Sequence, residues 1–185
     1  MKNPKLASRY AQALYDFSIE SDNLEIVYHD ILMIQEILIM NRELKTVLEN
    51  PIIPQTKKQN IIKEIFQPKL CETTFRFFVL VAKKRREPEL LMICRQFIKI
   101  YYRNHNIKEA HVTSAFQLSN EMTHYLQTFL EDNSPYKYVI SFDVDPDIIG
   151  GLVVKIDDYC FDATIQAKIN KLKTQFSQNT YAAGF

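Results

Sequence analysis

Glycine is scarce in this sequence: only three of the 185 residues are glycine, and two of them form the adjacent pair Gly150-Gly151. Because glycine supplies many tight turns and is costly inside helices, this scarcity favours long helices joined by few tight turns. Hydrophobic residues make up 46% of the chain and charged residues 24%, which is typical of globular proteins. We therefore expect a folded, largely helical protein that buries its own core.

An excess of charge is also missing, since 23 basic residues face 22 acidic ones and the formal net charge is +1. No bulk field is available to hold nucleic acid or an anionic membrane, so any partner must bind through local patches. The three cysteines, Cys71, Cys94 and Cys160, lie far apart and show no metal-ligand spacing. We expect them to be free buried thiols in a reducing compartment.

Long apolar runs and a targeting segment are absent as well. The N-terminal residues repeat apolar side chains at helical spacing, unlike the continuous apolar core of a signal peptide. The most apolar run, from Ile31 to Met40, is interrupted by Gln35 and Glu36 and is too short to span a bilayer. These features predict a soluble, intracellular protein.

The first 104 residues carry apolar side chains at helical spacing throughout. In the first and fifth predicted helices the apolar arc is wider than one packing face requires. Short connections between apolar stripes favour an antiparallel bundle. The predicted helices are Leu6 to Glu20 with Pro4 in the first turn, Leu24 to Met40, Arg42 to Leu48, Gln55 to Phe66, Glu72 to Lys84, and one opened by Pro88.

The pattern changes after residue 104, where short strand-like segments alternate with helices. This order predicts a small C-terminal αβ domain over residues 105–185 after an N-terminal helical domain over residues 1–104, a mostly α protein with a small α+β part. The tail from Ser177 is expected to fray. The predicted elements are a strand from Ala110 to Phe116, a helix capped by Ser119, strands from Tyr136 to Asp143, Leu152 to Ile156 and Tyr159 to Phe161, and a final helix capped near Asp162.

No catalytic or metal-binding template fits the sequence. The four histidines share no metal-ligand spacing, and no serine or cysteine lies in a nucleophile context. The aspartates between Asp143 and Asp162 do not match a calcium loop and favour turns and caps. Gly150-Gly151 leads into a strand and lacks the Lys-Ser/Thr of a phosphate-binding loop, so it is interpreted as structural. We expect no catalytic residue, cofactor or metal.

The densest charge cluster is the basic run from Lys83 to Arg86. It could bind nucleic acid or an acidic partner, and a helical nucleic-acid-binding or regulatory adaptor is the alternative function that it supports. Basic residues also complement the dipole at a helix C-terminus. The run has no interleaved aromatic residues in a nearly neutral chain, which favours the helix-end interpretation.

Four passages of the chain carry a resemblance to one family, and they span nearly its whole length. Together they resemble the delta subunit of bacterial F-type ATP synthases, which is equivalent to the mitochondrial oligomycin-sensitivity-conferring protein. Two positions depart from the family pattern: Asp157 replaces a glycine or small polar residue, and Tyr138 replaces an aliphatic one. The passages are ASRYAQALY at residues 7–15; Asn50-Pro51 with Lys57, Ile61, Ile62 and Phe66; Phe78, Arg85, Leu90, Ile93, Phe97 and Tyr101 with Ala110, Val112, Thr113, Ser114, Ala115 and Leu118; and Asp145, Ile148, Gly150, Gly151, Val154, Lys155, Asp162 and Ile165.

The resemblance implies a six-helix N-terminal domain that binds the N-terminal helices of the alpha subunits. In related proteins one such helix lies in a groove between the first and fifth helices, which are the two with the wide apolar arcs. We therefore expect the alpha-binding groove to include Tyr10, Ala13, Leu14, Phe77 and Leu80.

The resemblance also implies that the C-terminal αβ domain binds the C-terminal end of the b subunit in the peripheral stalk. Asp145, Gly150, Gly151 and Lys155 would be a structural signature of that domain. The implied function is non-catalytic: it joins the catalytic head to the stationary stalk, at the cytoplasmic face of the bacterial inner membrane. Membrane association would come only through the complex, and no nucleic acid would be bound.

Overall fold

A computed structural model describes residues 4–178 of the chain. The chain divides between Asn104 and His105 into two compact units, called unit 1 and unit 2 below. The described residues form eight α-helices and one four-stranded sheet. The prediction of a mostly α protein with a small α+β part is confirmed at this level. The tail that was predicted to fray spans residues 177–185; Ser177 and Gln178 belong to the last helix, and residues 179–185 lie outside the described residues.

Unit 1 contains six α-helices, and their bounds follow the predicted ones closely, except at the start of the last helix. Pro88 does not open that helix. It lies in a short 3-10 helix, Glu87–Glu89, in which the Glu89 amide donates to the Arg86 carbonyl oxygen at 3.0 Å. The α-helices are α1 (Pro4–Glu20), α2 (Leu24–Met40), α3 (Arg42–Glu49), α4 (Gln55–Phe66), α5 (Glu72–Lys83) and α6 (Leu90–Asn104).

The core of unit 1 is built around α6, whose Phe97 is fully buried and packs against Tyr15 of α1 with ring centroids 6.0 Å apart. Phe66 of α4 and Phe78 of α5 are also fully buried, with centroids 6.1 Å apart. Burying one such side chain contributes roughly 1.5–3 kcal/mol. These contacts hold the buried faces of α1 and α5 against the core, and the opposite faces of the two helices do not take part in them.

The C-terminal end of α5 is held by the start of α4. The amide nitrogen of the Gln55 side chain donates to the carbonyl oxygens of Ala82 and Lys83 at 2.8 and 3.0 Å. Carbonyl groups in the last turn of a helix have no partner within the helix, so this contact satisfies two of them. It fixes the position at which α5 ends.

Unit 2 has the predicted order of strand, helix, three strands and helix. The sheet order is β2-β1-β3-β4; β1 and β2 are parallel, and the other two neighbouring pairs are antiparallel. The crossover between the parallel strands is α7, and Ser119 caps it as predicted, accepting from the Met122 amide at 3.3 Å. The elements are β1 (Ile107–Ser114), α7 (Asn120–Asp132), β2 (Lys137–Val144), β3 (Leu152–Ile156), β4 (Tyr159–Asp162) and α8 (Ile165–Gln178).

In unit 2 the predicted bounds of the first strand and the predicted cap of the last helix are wrong. The first strand begins at Ile107 and ends at Ser114, because Asn106 takes a positive φ of 53° that ends α6 and turns the chain directly into the strand. Asp162 does not cap the last helix. It closes β4 and accepts from the Thr164 amide, while the Thr164 hydroxyl oxygen accepts from the Ala167 amide at 3.1 Å and caps α8.

One face of the sheet forms the core of unit 2. Ala110, Val112, Val154 and Ile156 are buried there, with partly buried residues of α7 packed against them. Each alternate residue of β1 and β3 points to the opposite face, as strand geometry requires. That opposite face is mostly exposed and includes the side chains of His111 and Lys155.

All three cysteines are free, as predicted, but only one is fully buried. Burial raises the pKa of the Cys94 thiol to about 12. Cys71 is partly buried and caps α5 through its sulfur. The prediction was wrong for Cys160, which lies on edge strand β4 and is exposed, because its side chain points to the uncovered face of the sheet.

Candidate functional site

A groove with a volume of about 600 Å³ lies between α1 and α5 in unit 1, and this surface is called the α1/α5 groove below. All five residues expected from the sequence are part of its lining. The structure therefore brings the two wide apolar arcs together on one surface. The lining residues are Leu6, Arg9, Tyr10, Ala13, Leu14, Phe17, Thr73, Arg76, Phe77, Leu80 and Arg86.

Helix α1 contributes two neighbouring stripes of side chains. Ala7, Ala11, Tyr15 and Ser18 are buried in unit 1, and Leu14 joins them. Leu6, Tyr10, Ala13 and Phe17 recur at three- and four-residue intervals beside them and line the groove. Residues at this spacing share one helix face, so the wide arc serves both the core and the groove.

Helix α5 repeats the arrangement. Phe78, Val81 and Ala82 are buried, whereas Phe77 and Leu80 line the groove. The rings of Tyr10 and Phe77 meet edge to face across the groove, with centroids 6.4 Å apart. The ring of Phe77 also packs against the ring of Phe78, with centroids 6.0 Å apart, and this contact connects the groove lining to the core. The groove is thus supported by packed aromatic rings.

The five expected residues lie at different depths. Leu14 is only 1% exposed and belongs to the floor, Tyr10 and Phe77 are half-buried, and Ala13 and Leu80 are exposed. Phe17 also lines the groove and was missed, although its spacing from Tyr10 and Ala13 carried the signal. A bound partner would therefore contact Ala13, Leu80 and the exposed edges of the two rings more than Leu14.

Unit 2 has a second apolar groove, with a volume of about 550 Å³, between α7 and the β3-β4 hairpin; it is called the α7/hairpin groove below. Phe129 of α7 and Tyr159 and Phe161 of β4 line it and remain exposed. At its edge, the Lys108 ammonium lies 2.8 Å from an Asp157 carboxylate oxygen and 4.3 Å from the centre of the Tyr136 ring. The hydrogen bond to Asp157 raises the pKa of Lys108.

Helix α8 carries a further exposed apolar stripe, formed by Ile165, Ile169, Leu172 and Phe176. The sequence placed these four residues on one helix face, but that face is not covered by the described residues. Exposed apolar surface of this extent on a small unit is typical of interaction sites.

The Gly150-Gly151 pair precedes β3 and lies against the residues that begin α8. The Ile165 amide donates to the Gly150 carbonyl oxygen at 2.9 Å. Gly151 has a φ of +89°, and a Cβ placed on it would lie 2.4 Å from the Ala163 carbonyl oxygen. Only glycine fits there without a shift of the backbone.

The other two signature residues differ from each other. A side-chain oxygen of Asp145 accepts from the Asp147 amide at 3.0 Å and forms the turn after β2. Lys155 is exposed on the uncovered face of the sheet and has no ion pair within residues 4–178. Its position gives it no visible part in closing the fold.

The basic run closes α5. Lys83 is the last residue of the helix, the Lys84 amide donates to the Leu80 carbonyl oxygen, and Arg85 takes a φ of +56°. The Arg85 side chain donates to the Gln55 side-chain oxygen, and Arg86 reaches the α1/α5 groove. Arg85 and Arg86 therefore face different surfaces, whereas a nucleic-acid patch would require the basic side chains to share one.

Residues 4–178 contain neither a metal-binding cluster nor a membrane-spanning helix. No group of three or more histidine, cysteine, aspartate and glutamate side chains is placed to hold a metal ion there. No helix in the same range combines the length and the apolarity of a membrane span.

Comparisons with known proteins agree on one family. The family described as the ATP synthase delta (OSCP) subunit matches residues 6–176. The ATP synthase subunit delta of Desulforudis audaxviator is 37% identical over 168 residues, covering 91% of this chain and 92% of that protein. The ATP synthase subunit delta of Amoebophilus asiaticus is 35% identical over 180 residues, covering 97% and 98%.

The fold has a counterpart among solved structures. A chain in the mitochondrial ATP synthase hexamer of Toxoplasma gondii matches with a TM-score of 0.72 at 16% identity, covering 93% of this chain and 97% of that one. At this identity the likeness concerns the fold. The family match over residues 6–176 and the two relatives show that this chain belongs to the ATP synthase delta (OSCP) subunit family of non-catalytic subunits.

Proposed function

We propose that this chain joins the catalytic head of a bacterial F-type ATP synthase to its peripheral stalk. Unit 1, folded as a six-helix bundle, binds the N-terminal helices of the alpha subunits. Unit 2 binds the C-terminal end of the b subunit. The chain is held at the cytoplasmic face of the plasma membrane only through the complex.

The observation that carries this proposal is the α1/α5 groove. Its α1 wall runs from Leu6 to Phe17, which at a rise of about 1.5 Å per residue is roughly 17 Å, or three helical turns. A helix bound in a groove presents apolar side chains at three- to four-residue intervals, and about three such anchors fit this length. The length and apolar lining therefore suit an amphipathic helix.

Support for a second partner comes from unit 2. The α7/hairpin groove and the exposed stripe of α8 give this unit apolar surfaces that its own described residues do not bury. Exposed aromatic residues such as Tyr159 and Phe161 are typical anchors of interfaces. A chain with one partner on each unit can act as a mechanical link.

The physical requirement of such a link is slow dissociation under torque. The stationary stalk must hold the head while the rotor turns, so each contact has to persist through many turnovers. Packing of buried apolar surface mainly lowers the dissociation rate. No group transfer is needed for this work.

The test of the alpha contact is titration calorimetry of the full chain with a synthetic peptide of the same organism's alpha N-terminal helix. Leu80→Asp places a charge on the groove, where Leu80 is 48% exposed, and should weaken binding at least tenfold. Ile39→Asp is the matched control, because Ile39 is 54% exposed and lies on α2 outside the groove. Equal affinities for the two folded variants would reject the groove as the alpha site.

The b contact is tested in the same way with a peptide of the b subunit's C-terminal segment. Phe161→Asp in the α7/hairpin groove should abolish measurable binding, because it places a charge among apolar lining residues. Ile149→Asp is the control, since Ile149 is exposed in unit 2 but does not line the groove. Retained binding of the b peptide by folded Phe161→Asp would reject the α7/hairpin groove as the b site.

A further inference from the structure

The charged residues that line the α1/α5 groove are all basic. Arg9 lies on the α1 wall, Arg76 on the α5 wall and Arg86 just beyond the end of α5, and the lining includes no acidic residue. The chain as a whole is nearly neutral, with a net charge of +1. Three arginines around one apolar groove are therefore a local concentration of charge.

The two helix walls place their arginines in equivalent positions. Arg9 follows Leu6 by three residues and precedes Ala13 by four, and Arg76 has the same relation to Thr73 and Leu80. At about 100° per residue, each arginine lies on the outer side of its stripe, away from the buried face of its helix. The charges thus flank the apolar stripe and do not interrupt it.

Two of the three guanidinium groups are available to a partner. Arg76 pairs with Glu72 one turn earlier, but both side chains are mostly exposed, and such pairs are weak. Arg9 and Arg86 form no ion pair with any residue from 4 to 178. Asp16 lies on the same side of α1, two turns from Arg9, and is hydrogen-bonded by Gln12 at 2.8 Å, and Glu20 follows one turn later.

We propose that the α1/α5 groove selects a helix whose apolar stripe is flanked by carboxylates, so that the alpha N-terminal helix is recognised by charge as well as by shape. This inference rests on the proposed function and specifies its partner. Arginine presents a rigid fork of donors that matches a carboxylate. Charge pairs of this kind fix the register of a helix and accelerate its association.

A polyanion is the competing occupant, because arginines also bind phosphate. The apolar lining argues for the helix: Tyr10 and Phe77 meet edge to face, so the two rings do not present parallel faces on which successive bases would stack. The groove also lies between two helices, α1 and α5, against which a third helix can pack. Duplex DNA is therefore the discriminating second probe.

The experiment uses the full chain and two alpha N-terminal peptides, the native one and one with every aspartate and glutamate replaced by asparagine and glutamine. Binding is measured at about 20 and 200 mM NaCl, which changes the screening length severalfold. The native peptide should bind the wild-type chain roughly tenfold more tightly than the neutralised peptide at low salt, and the difference should shrink at high salt. The double variant Arg9→Gln/Arg86→Gln should bind both peptides alike.

The matched control is Arg95→Gln, because Arg95 is exposed on α6 and does not line the groove. It should retain the full difference between the peptides. The inference is overturned if the two peptides bind the wild-type chain equally, or if the double variant retains the difference between the peptides as Arg95→Gln does. It is also overturned if the double variant loses affinity for duplex DNA but not for the native peptide. Failure of the proposed function is separate: the native peptide would not bind the wild-type chain, or Leu80→Asp would leave its binding unchanged.

Discussion

Tyr10 of α1 and Phe77 of α5 meet edge to face, with ring centroids 6.4 Å apart and an interplanar angle of 66°. This contact joins the two helices that line the α1/α5 groove, and both residues are half-buried. Aromatic pairs in this geometry contribute about 0.5–1.5 kcal/mol beyond the area that they bury. The pair therefore helps to fix the spacing between α1 and α5 in the absence of a partner.

The first prediction is energetic coupling between these two rings. Tyr10→Ala, Phe77→Ala and the double variant form a cycle, and its coupling energy in urea unfolding should be about 0.5–1.5 kcal/mol. Tyr10→Ala combined with Phe129→Ala, which lies in unit 2, is the control and should be additive. Additive effects in the Tyr10–Phe77 cycle would show that the rings do not stabilise each other.

The second prediction separates the two adjacent glycines. A Cβ at Gly151 would lie 2.4 Å from the Ala163 carbonyl oxygen at a φ of +89°, so Gly151→Ala should destabilise unit 2 by about 2 kcal/mol or more. A Cβ at Gly150 would lie 2.8 Å from the flexible end of the Ile165 side chain, so Gly150→Ala should cost about 1 kcal/mol or less. Hydrogen exchange of the β3 amides measures both, and equal costs would contradict this account of the pair.

The third prediction concerns the cysteines. Exposed Cys160 should react with a maleimide in the native protein at neutral pH, whereas buried Cys94, whose pKa is raised to about 12, should react only after unfolding. Mass spectrometry of the labelled peptides gives the order of reaction, and Cys160→Ser removes the fast component as a control. Native labelling of Cys94 as fast as that of Cys160 would contradict the burial.

The same raised pKa predicts how stability changes in alkali. Above the ordinary thiol pKa of about 8.5, the unfolded chain releases a proton that the folded Cys94 retains. The unfolded state then binds fewer protons, so the free energy of unfolding should fall as the pH rises from about 8.5 towards 12. Cys94→Ala should flatten this part of the pH profile in urea unfolding, and an unchanged slope would assign the loss of stability to other groups.

Helical periodicity predicted most of unit 1 because its apolar stripes are long and regular. The bounds of α2 and α4 agree with the sequence, and the wide arc of α1 indicated a second packing surface before the structure showed the groove. Periodicity gives the direction of a side chain but not its depth. Leu14 and Ala13 were therefore grouped together, although one forms the floor and the other is exposed.

Unit 2 was harder to predict in detail, because its ends depend on single backbone conformations. The positive φ of Asn106 starts β1 earlier than its composition suggested, and Thr164 replaces Asp162 as the cap of α8. Which face of the sheet is covered also depends on where α7 packs. The exposure of Cys160 could therefore not be read from its neighbours in the sequence.

The most direct test of the central claim is photo-crosslinking in assembled complexes. A benzoylphenylalanine introduced at Leu80 of the tagged full chain, in membranes of the host organism, should form a covalent product that contains the alpha subunit. The same group at Ile39, exposed on α2 outside the groove, should not. An intact complex that gives no alpha product from Leu80, or equal alpha products from both positions, would contradict the α1/α5 groove as the site that holds the catalytic head.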